Sequence, residues 1–259
     1  MKPDYAQYAR ELRELLGLFA PPLAITFSAQ QPEGVERFRA TRPSPTPGGR
    51  TGAVPAGCVF WMKATDKTFT TVPEDHANCS VGSLTHGLKA LDEAADAEDV
   101  AALVASEWVT EDAFPQIPTV KERPNFITYG PLAETPMEPD VVFLRLNAKQ
   151  AMMLHDAWPQ LRFEGKPQCH IIPIAKEHGE VAVSVGCMLS RVRTGMANEE
   201  MTSAIPVIHL ETLVERLRKA STADRAVAEY AARDSRRFRS AAGHKDSGAL
   251  EQRPADKKE

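Results

Sequence analysis

The sequence predicts an α/β (or α+β) protein: a mixed sheet flanked by helices, with a long helix near the C-terminal end. Three observations lead there. Short runs rich in β-branched and apolar residues alternate with segments whose apolar residues recur every three or four positions. One run, residues 141–146 (Val-Val-Phe-Leu-Arg-Leu), is almost continuously apolar, as a strand buried on both faces must be. Leu210, Leu213, Val214 and Leu217 line one face of a helix that follows the last strand-like run.

In order, Tyr5, Tyr8, Ala9, Leu12, Leu15 and Leu16 are interleaved with Arg10, Glu11, Arg13 and Glu14 in an amphipathic helix ending at Gly17. Leu23 to Phe27 follows Pro21-Pro22 as a strand. Residues 30–56 hold five prolines and four glycines, which break helix and strand alike, so a long loop or lid over the Cys58 region is expected. Residues 58–64 are too short for periodicity to separate helix from strand. Thr68 to Val72 reads as a strand. Cys79 to Leu91 reads as a helix with Leu84, Leu88 and Leu91 on its core face, and Asp99 to Trp108 as another. Beyond the Pro-rich residues 109–125, Phe126 to Tyr129 and Val141 to Leu146 read as strands. Asn147 caps a helix carrying Ala151, Met152, Leu154 and Trp158, stopped by Pro159. Cys169 to Ile174, Val181 to Val185 and Ala204 to Leu210 read as strands. The helix from Leu210 is followed by a second helical piece opening at Ser221-Thr222-Ala223-Asp224, a capping-box pattern. Residues 231–259, with eight Lys/Arg, five Asp/Glu and few large apolar side chains, read as a disordered basic tail, leaving 1–230 as one α/β domain.

Two stretches repeat one order of features. Strand 23–27, Cys58, strand 68–72 and Cys79 are echoed by strand 141–146, Cys169, strand 181–185 and Cys187, with thiol intervals of 21 and 18 residues. Two pseudo-repeated halves related by a two-fold axis would gather all four thiols at the centre.

A net charge of −4 and an ordinary apolar content of 42% give no pull toward nucleic acid or acidic membranes. No apolar leader follows Met1-Lys2-Pro3, and no window approaches the roughly 18 apolar residues of a membrane span. A cytoplasmic location is therefore expected, and with it four reduced cysteines. There is no G-x-G-x-x-G or Walker pattern, so no nucleotide cofactor is expected. The expected partner is a small-molecule ligand, with a homo-oligomer as an option.

The chemistry-bearing residues concentrate in Thr71-Val72-Pro73-Glu74-Asp75-His76-Ala77-Asn78-Cys79, where a strand hands over to a helix. A thiol at a helix start, an imidazole three residues upstream and the Glu74 carboxylate can make a nucleophile, a base and an orienting acid. They can equally be a metal-ligand pair, or a capped helix with a buried cysteine. Ser190-Arg191-Val192-Arg193-Thr194 after Cys187 offers two guanidinium groups and two hydroxyls, a set suited to an anionic group. No C-x-x-C or H-E-x-x-H occurs, yet isolated thiols that meet in space favour zinc or an iron–sulfur cluster.

The ordered set Cys58, Thr71-x-x-Glu74-x-His76-x-x-Cys79-x-x-Gly82, Gly87-Leu88, Pro139-Asp140-Val141-Val142, Gln150-Ala151-Met152, Cys169, Ser184-x-Gly186-Cys187, Arg191, Glu200-Met201 and Ile205-Pro206 resembles the family called domain of unknown function 169. The resemblance covers roughly residues 12–220. It implies a soluble α/β protein whose cysteine-bearing corners form a shared site, a helix at 58–64, and no particular reaction. The expectation is a cysteine-rich-site protein, an iron–sulfur or zinc enzyme acting on a small anionic molecule. Cys58, Cys79 and Cys187 are the expected ligands, with Cys169 as a fourth; His76 moves a proton and Arg191 and Arg193 hold the anion, with Ser190 and Thr194. Alternatives are a metal-free lyase or hydrolase with Cys79 as nucleophile and His76 as base, and a ligand-binding or sensor protein without turnover.

Overall fold

Val142, Leu144 and Leu146 pack to one side of a sheet while Val141 and Phe143 pack to the other, so the strand that carries them is buried on both faces. This strand lies in the middle of a seven-stranded mixed sheet. A computed structural model of the protein describes residues 3–38, 58–76 and 78–241. The strands are β1 (Leu23–Ser28), β2 (Phe69–Thr71), β3 (Phe126–Pro131), β4 (Val141–Leu146), β5 (Arg162–Gly165), β6 (Ala182–Ser184) and β7 (Met201–Pro206), in the order β2-β3-β1-β4-β7-β6-β5. Only β5 and β6 run parallel. The helices are α1 (Tyr5–Leu16), α2 (Cys58–Lys63), α3 (Ser80–Thr85), α4 (Leu91–Ala95), α5 (Glu98–Ala105), α6 (Ala148–Ala157), α7 (Ile171–His178), α8 (Met188–Thr194) and α9 (Leu210–Ala241).

Helices α1, α6 and α9 cover one face through Leu12, Leu154, Leu213 and Leu217. Asp4 caps α1 by accepting from the Gln7 N–H, and Gly17 ends it in the left-handed region. Asn147 and Gln150 form a reciprocal capping box at the start of α6. On the opposite face Phe60 and Trp61 of α2 and Ile171, Ile172 and Ile174 of α7 fill the second core, with the Trp61 ring 4.5 Å from that of Phe143. The α/β class is as the sequence predicts. Among the described residues no helix is long and apolar enough to cross a membrane.

The pairing register carries an internal two-fold symmetry. Ala24 faces Val142 across β1 and β4, flanked by Leu23 opposite Phe143 and Ile25 opposite Val141. On one side β3 pairs β1 starting from Leu23 opposite Pro131; on the other, β7 pairs β4 starting from Val141 opposite Pro206. Pro131 and Pro206 each lead into a single 3-10 turn with almost the same backbone angles, φ −58 and ψ 135 against φ −57 and ψ 135. Strands β2 and β6 then sit in equivalent places beside β3 and β7. The sheet is two three-stranded halves, β2-β3-β1 and β4-β7-β6, with β5 added at one edge, so the repeated order of features in the sequence is a repeat of structure.

Several local expectations are corrected. Cys169 to Ile174 is not a strand: residues 168–170 form a 3-10 turn and α7 starts at Ile171, with Pro173 in its first turn where a missing N–H does no harm. The helix expected over 79–91 stops at Thr85, and α4 begins separately at Leu91. The last strand is Met201–Pro206, ahead of the expected 204–210. The capping pattern at Ser221 lies inside one continuous helix, where the Thr222 hydroxyl donates to the Arg218 carbonyl four residues back. Residues 231–241, assigned to the tail, continue that helix. Residues 39–57 of the expected lid and 242–259 of the tail lie outside the described residues. Before that gap, Arg37 forms an isolated bridge to Thr70 and Phe38 packs on Phe60 and Phe69.

Gly130 in β3 lets β2 close. A Cβ there would lie 2.2 Å from Thr68 Oγ1 and 2.9 Å from its Cα, so the strands would have to part. Gly130→Ala is expected to lower stability by about 1–3 kcal/mol, the range for overpacking, read from the urea midpoint.

Candidate functional site

The symmetry crosses the two halves over each other on the α2/α7 face. Helix α2 packs against α8, and the 3-10 turn before α7 packs against α3. Cys58 opens α2 and Cys169 lies in the turn before α7; Cys79 and Cys187 are the N-cap residues of α3 and α8, both with extended backbone. All four cysteines line one cavity. The rest of the wall follows the same symmetry: Val81 and Leu189 stand two residues after their cap cysteines, and Gly82 and Ser190 three residues after. The cavity leaves about 30 Å³ to the centre of a water-sized sphere, and its walls are almost wholly apolar. None of the four thiols is in a disulfide and each is partly accessible.

The thiols sense one another. Burial pushes Cys58 up to about 11, and the nearby Cys187 adds to it while the Ser190 hydroxyl opposes it. Burial pushes Cys79 up to about 12, opposed by the Gly82 N–H and reinforced by Cys58, Asp99 and Cys187. Burial also drives Cys169 well above the usual thiol range, with Cys79, Cys187 and Cys58 adding to it. Cys58, Cys79 and Cys169, pushed up by burial in apolar surroundings, are poor nucleophiles, because the thiolate is the reactive form. A bound cation reverses this by favouring the deprotonated ligands. Two further wall groups are unsatisfied: Trp61 Nε1 and Gln168 Oε1 are buried without a hydrogen-bond partner. A buried N–H without an acceptor costs about 1–3 kcal/mol, which a sulfur-rich bound group beside Trp61 would recover.

The residues therefore fit a sulfur-ligated group on thiolate count, shared cavity and unsatisfied lining. Among the described residues no three His, Cys, Asp or Glu side chains stand close enough to hold one metal ion. A single zinc needs its sulfurs about 2.3 Å from one point, whereas a cluster binds each thiolate to a different iron and spreads them.

The other expected site residues go elsewhere. His76 is fully buried, 4.7 Å from the Phe60 ring and 5.8 Å from that of His86. The Thr71 hydroxyl donates to the Ile127 carbonyl, so His76 Nε2–H donates to Thr71 Oγ1 at 2.9 Å and Nδ1 is left a bare lone pair. Burial, with His86 second, holds His76 well below the usual imidazole range. His76 is absent from the cavity wall and from the groups acting on Cys79, so folding does not produce a Cys79–His76 pair. Glu74 is exposed on a 3-10 turn. Arg191, expected to grip an anion, instead braces the chain: its Nη2 donates to the carbonyls of Val185, Asn198 and Glu200, and Gly186 at φ +101 leaves room for the guanidinium. Ser190 and Arg193 do line the cavity. The Thr194 hydroxyl turns back to the Ser190 carbonyl at 2.7 Å.

Residues 11–216 match the model of a family described as uncharacterised ArCR, domain of unknown function 169. The chain belongs to this family. No curated protein and no solved structure matches it significantly. All four cysteines and the whole cavity wall of this domain of unknown function 169 member fall inside the matched region.

Beside the thiol cavity of this family member lies an open cleft of about 430 Å³ that the sequence does not reveal. Val81, Trp108 and Pro167 line both spaces. Arg162 Nε donates to Glu164 Oε2 at 2.9 Å, and His170 Nδ1 meets Glu164 Oε1 at 3.2 Å. His170 beside Glu164, helped by Arg162, holds its carboxyl below the usual range against partial burial. Nothing in sequence spacing joins Arg162, Glu164 and His170, because an edge strand and a 3-10 turn that only folding brings together carry them. Trp108 is placed by the end of α5, where Glu107 takes a left-handed φ of 56° and Trp108 N–H reaches back to the Leu103 carbonyl. Glu107→Gly is expected to raise stability by about 0.5–1 kcal/mol, seen as a higher melting temperature; a lower one contradicts this account of the turn.

Proposed function

We propose that this protein holds an iron–sulfur cluster on Cys58, Cys79, Cys169 and Cys187 and works at that centre on a small anionic molecule in the cytoplasm. The observation that carries the reading is that four cysteines from four separate segments line one cavity in two pseudo-symmetric pairs. A cluster held by all four thiolates would supply electron transfer. The protein's own residues supply the rest. Trp61 Nε1–H offers a donor to a sulfur in the cavity, and hydrogen bonds to the sulfurs tune such centres. Val81, Leu189 and Leu103 exclude water from it. Ser190 stands beside Cys58, and Arg193 at the cavity wall adds positive charge. The apolar wall raises the free energy of uncompensated thiolates, so loading and ligand deprotonation go together.

The test is anaerobic purification followed by iron, acid-labile sulfide and zinc analysis. The expected result is about four iron and four sulfide per chain, or their uptake on chemical reconstitution, with the visible absorbance of a cluster. Protein that takes up neither iron nor zinc under both conditions and retains four titratable thiols overturns the reading in favour of metal-free ligand binding.

A further inference from the structure

We propose that Cys58 and Cys187 form a reversible disulfide when the chain carries no cluster, so that the thiol cavity is also a site of redox modification. The closure withdraws two of the four proposed ligands. That consequence rests on the reading above, whereas the disulfide itself does not.

Helix α2 packs on α8, and Cys58 opens the first while Cys187 caps the second. Both thiols line one cavity that leaves only about 30 Å³ to the centre of a water-sized sphere. Ser190 fixes their relation further. It stands three residues after Cys187, on the same side of the first turn of α8, and its hydroxyl is close enough to Cys58 to favour the charged form of that sulfur. Cys187 is itself near enough to add to the upward push on Cys58. Access separates this pair from the one related to it by the internal two-fold, Cys169 and Cys79. Met188, which follows Cys187, is 60% exposed, whereas His170 after Cys169 and Ser80 after Cys79 are buried. A small oxidant therefore meets Cys187 first. With a low-molecular-weight disulfide as oxidant, the Cys187 sulfur attacks one of its sulfurs, forms a mixed disulfide and releases one thiol; Cys58 then attacks the Cys187 sulfur and displaces the second. Two cysteine thiols are oxidised, one external disulfide is reduced to two thiols, and the two cysteine protons pass to them. In a reducing compartment such bonds are transient and sense oxidants.

The experiment uses the full chain, stripped of metal with chelator and dithiothreitol, desalted anaerobically and incubated with oxidised glutathione. Free thiols are then alkylated and the peptides mapped by mass spectrometry without reduction. The expected product has one intrachain bond, between Cys58 and Cys187, with Cys79 and Cys169 alkylated and titratable thiols down from four to two. Dithiothreitol is expected to restore all four. Cys58→Ser is expected to trap glutathione on Cys187, and Cys187→Ser to leave Cys58 unmodified, each checked for its fold by far-ultraviolet circular dichroism. Any other pairing, four alkylated thiols after exhaustive treatment, or glutathione on Cys58 in Cys187→Ser overturns the proposal. Iron-loaded protein under the same treatment separates it from the cluster reading. Loss of the reaction is expected there, because both sulfurs are engaged. The same disulfide formed with iron fully retained sustains the pairing and sinks ligation by these two thiols; a chain that loads iron but, once stripped, does not pair sinks the disulfide alone.

Discussion

Replacing Cys58 and Cys187 together by serine is expected to remove essentially all bound iron, and replacing Cys79 and Cys169 together is expected to do the same. Each pair joins one residue from either half of the sheet, so neither half holds a cluster alone. The loss is close to complete because a serine hydroxyl is a far poorer iron ligand than a thiolate, and two missing ligands leave a cluster open on one side. Iron and sulfide per chain check this, with far-ultraviolet circular dichroism to show that the fold persists. The cavity sits beside the second core, not within it, and serine fills nearly the same volume as cysteine. Full iron content in either double variant contradicts four-thiol ligation.

Acidification is expected to destabilise the protein well before its carboxylates titrate. His86 is fully buried, and burial pushes it from 6.5 down to about 4 despite the bond from Nδ1 to the Gly82 carbonyl. His76 shifts the same way. Both imidazoles are neutral in the folded chain, but in the unfolded chain they take up protons below about pH 6.5. The unfolded state then binds more protons, so stability falls as pH drops and keeps falling until the folded-state pKa is reached. For His86 alone the window from 6.5 to about 4 corresponds to about 3 kcal/mol. Urea midpoints at a series of pH values check it, and His86→Gln is expected to flatten the profile over that window. A wild-type midpoint that is level between pH 7 and about 4.5 contradicts neutral, sealed imidazoles.

Several features were legible before folding. The nearly unbroken apolar run of β4 announced a central strand, and Asn147 and Gly17 marked helix ends by chemistry that acts within a few residues. The echo of strand and thiol spacing pointed to duplication, and the pairing of β1 with β4 around Ala24 and Val142 bears it out. What failed was either ambiguous locally or decided at long range. The short, mostly apolar run from Cys169 to Ile174 suits a strand or a buried helix equally, and packing of α7 on β4, β6 and β7 chose the helix. Arg191 looks like an anion clamp until the loop at Asn198 and Glu200 brings carbonyls to it. His76 looks like a base for Cys79 from its spacing, yet the 3-10 turn at Pro73–His76 carries it into the aromatic cluster with Phe60 and Tyr129. The Glu164–His170 pair had no sequence signal, since a strand edge and a turn must first be folded to bring the two together.

Iron-edge X-ray absorption on anaerobically purified wild-type protein tests the convergence of the four thiols most directly. The predicted spectrum shows iron surrounded by sulfur alone, with neighbouring iron atoms at short range, and it disappears in both cysteine double variants. Iron bound to nitrogen or oxygen, or a sulfur environment that survives the loss of Cys58 and Cys187, would contradict it.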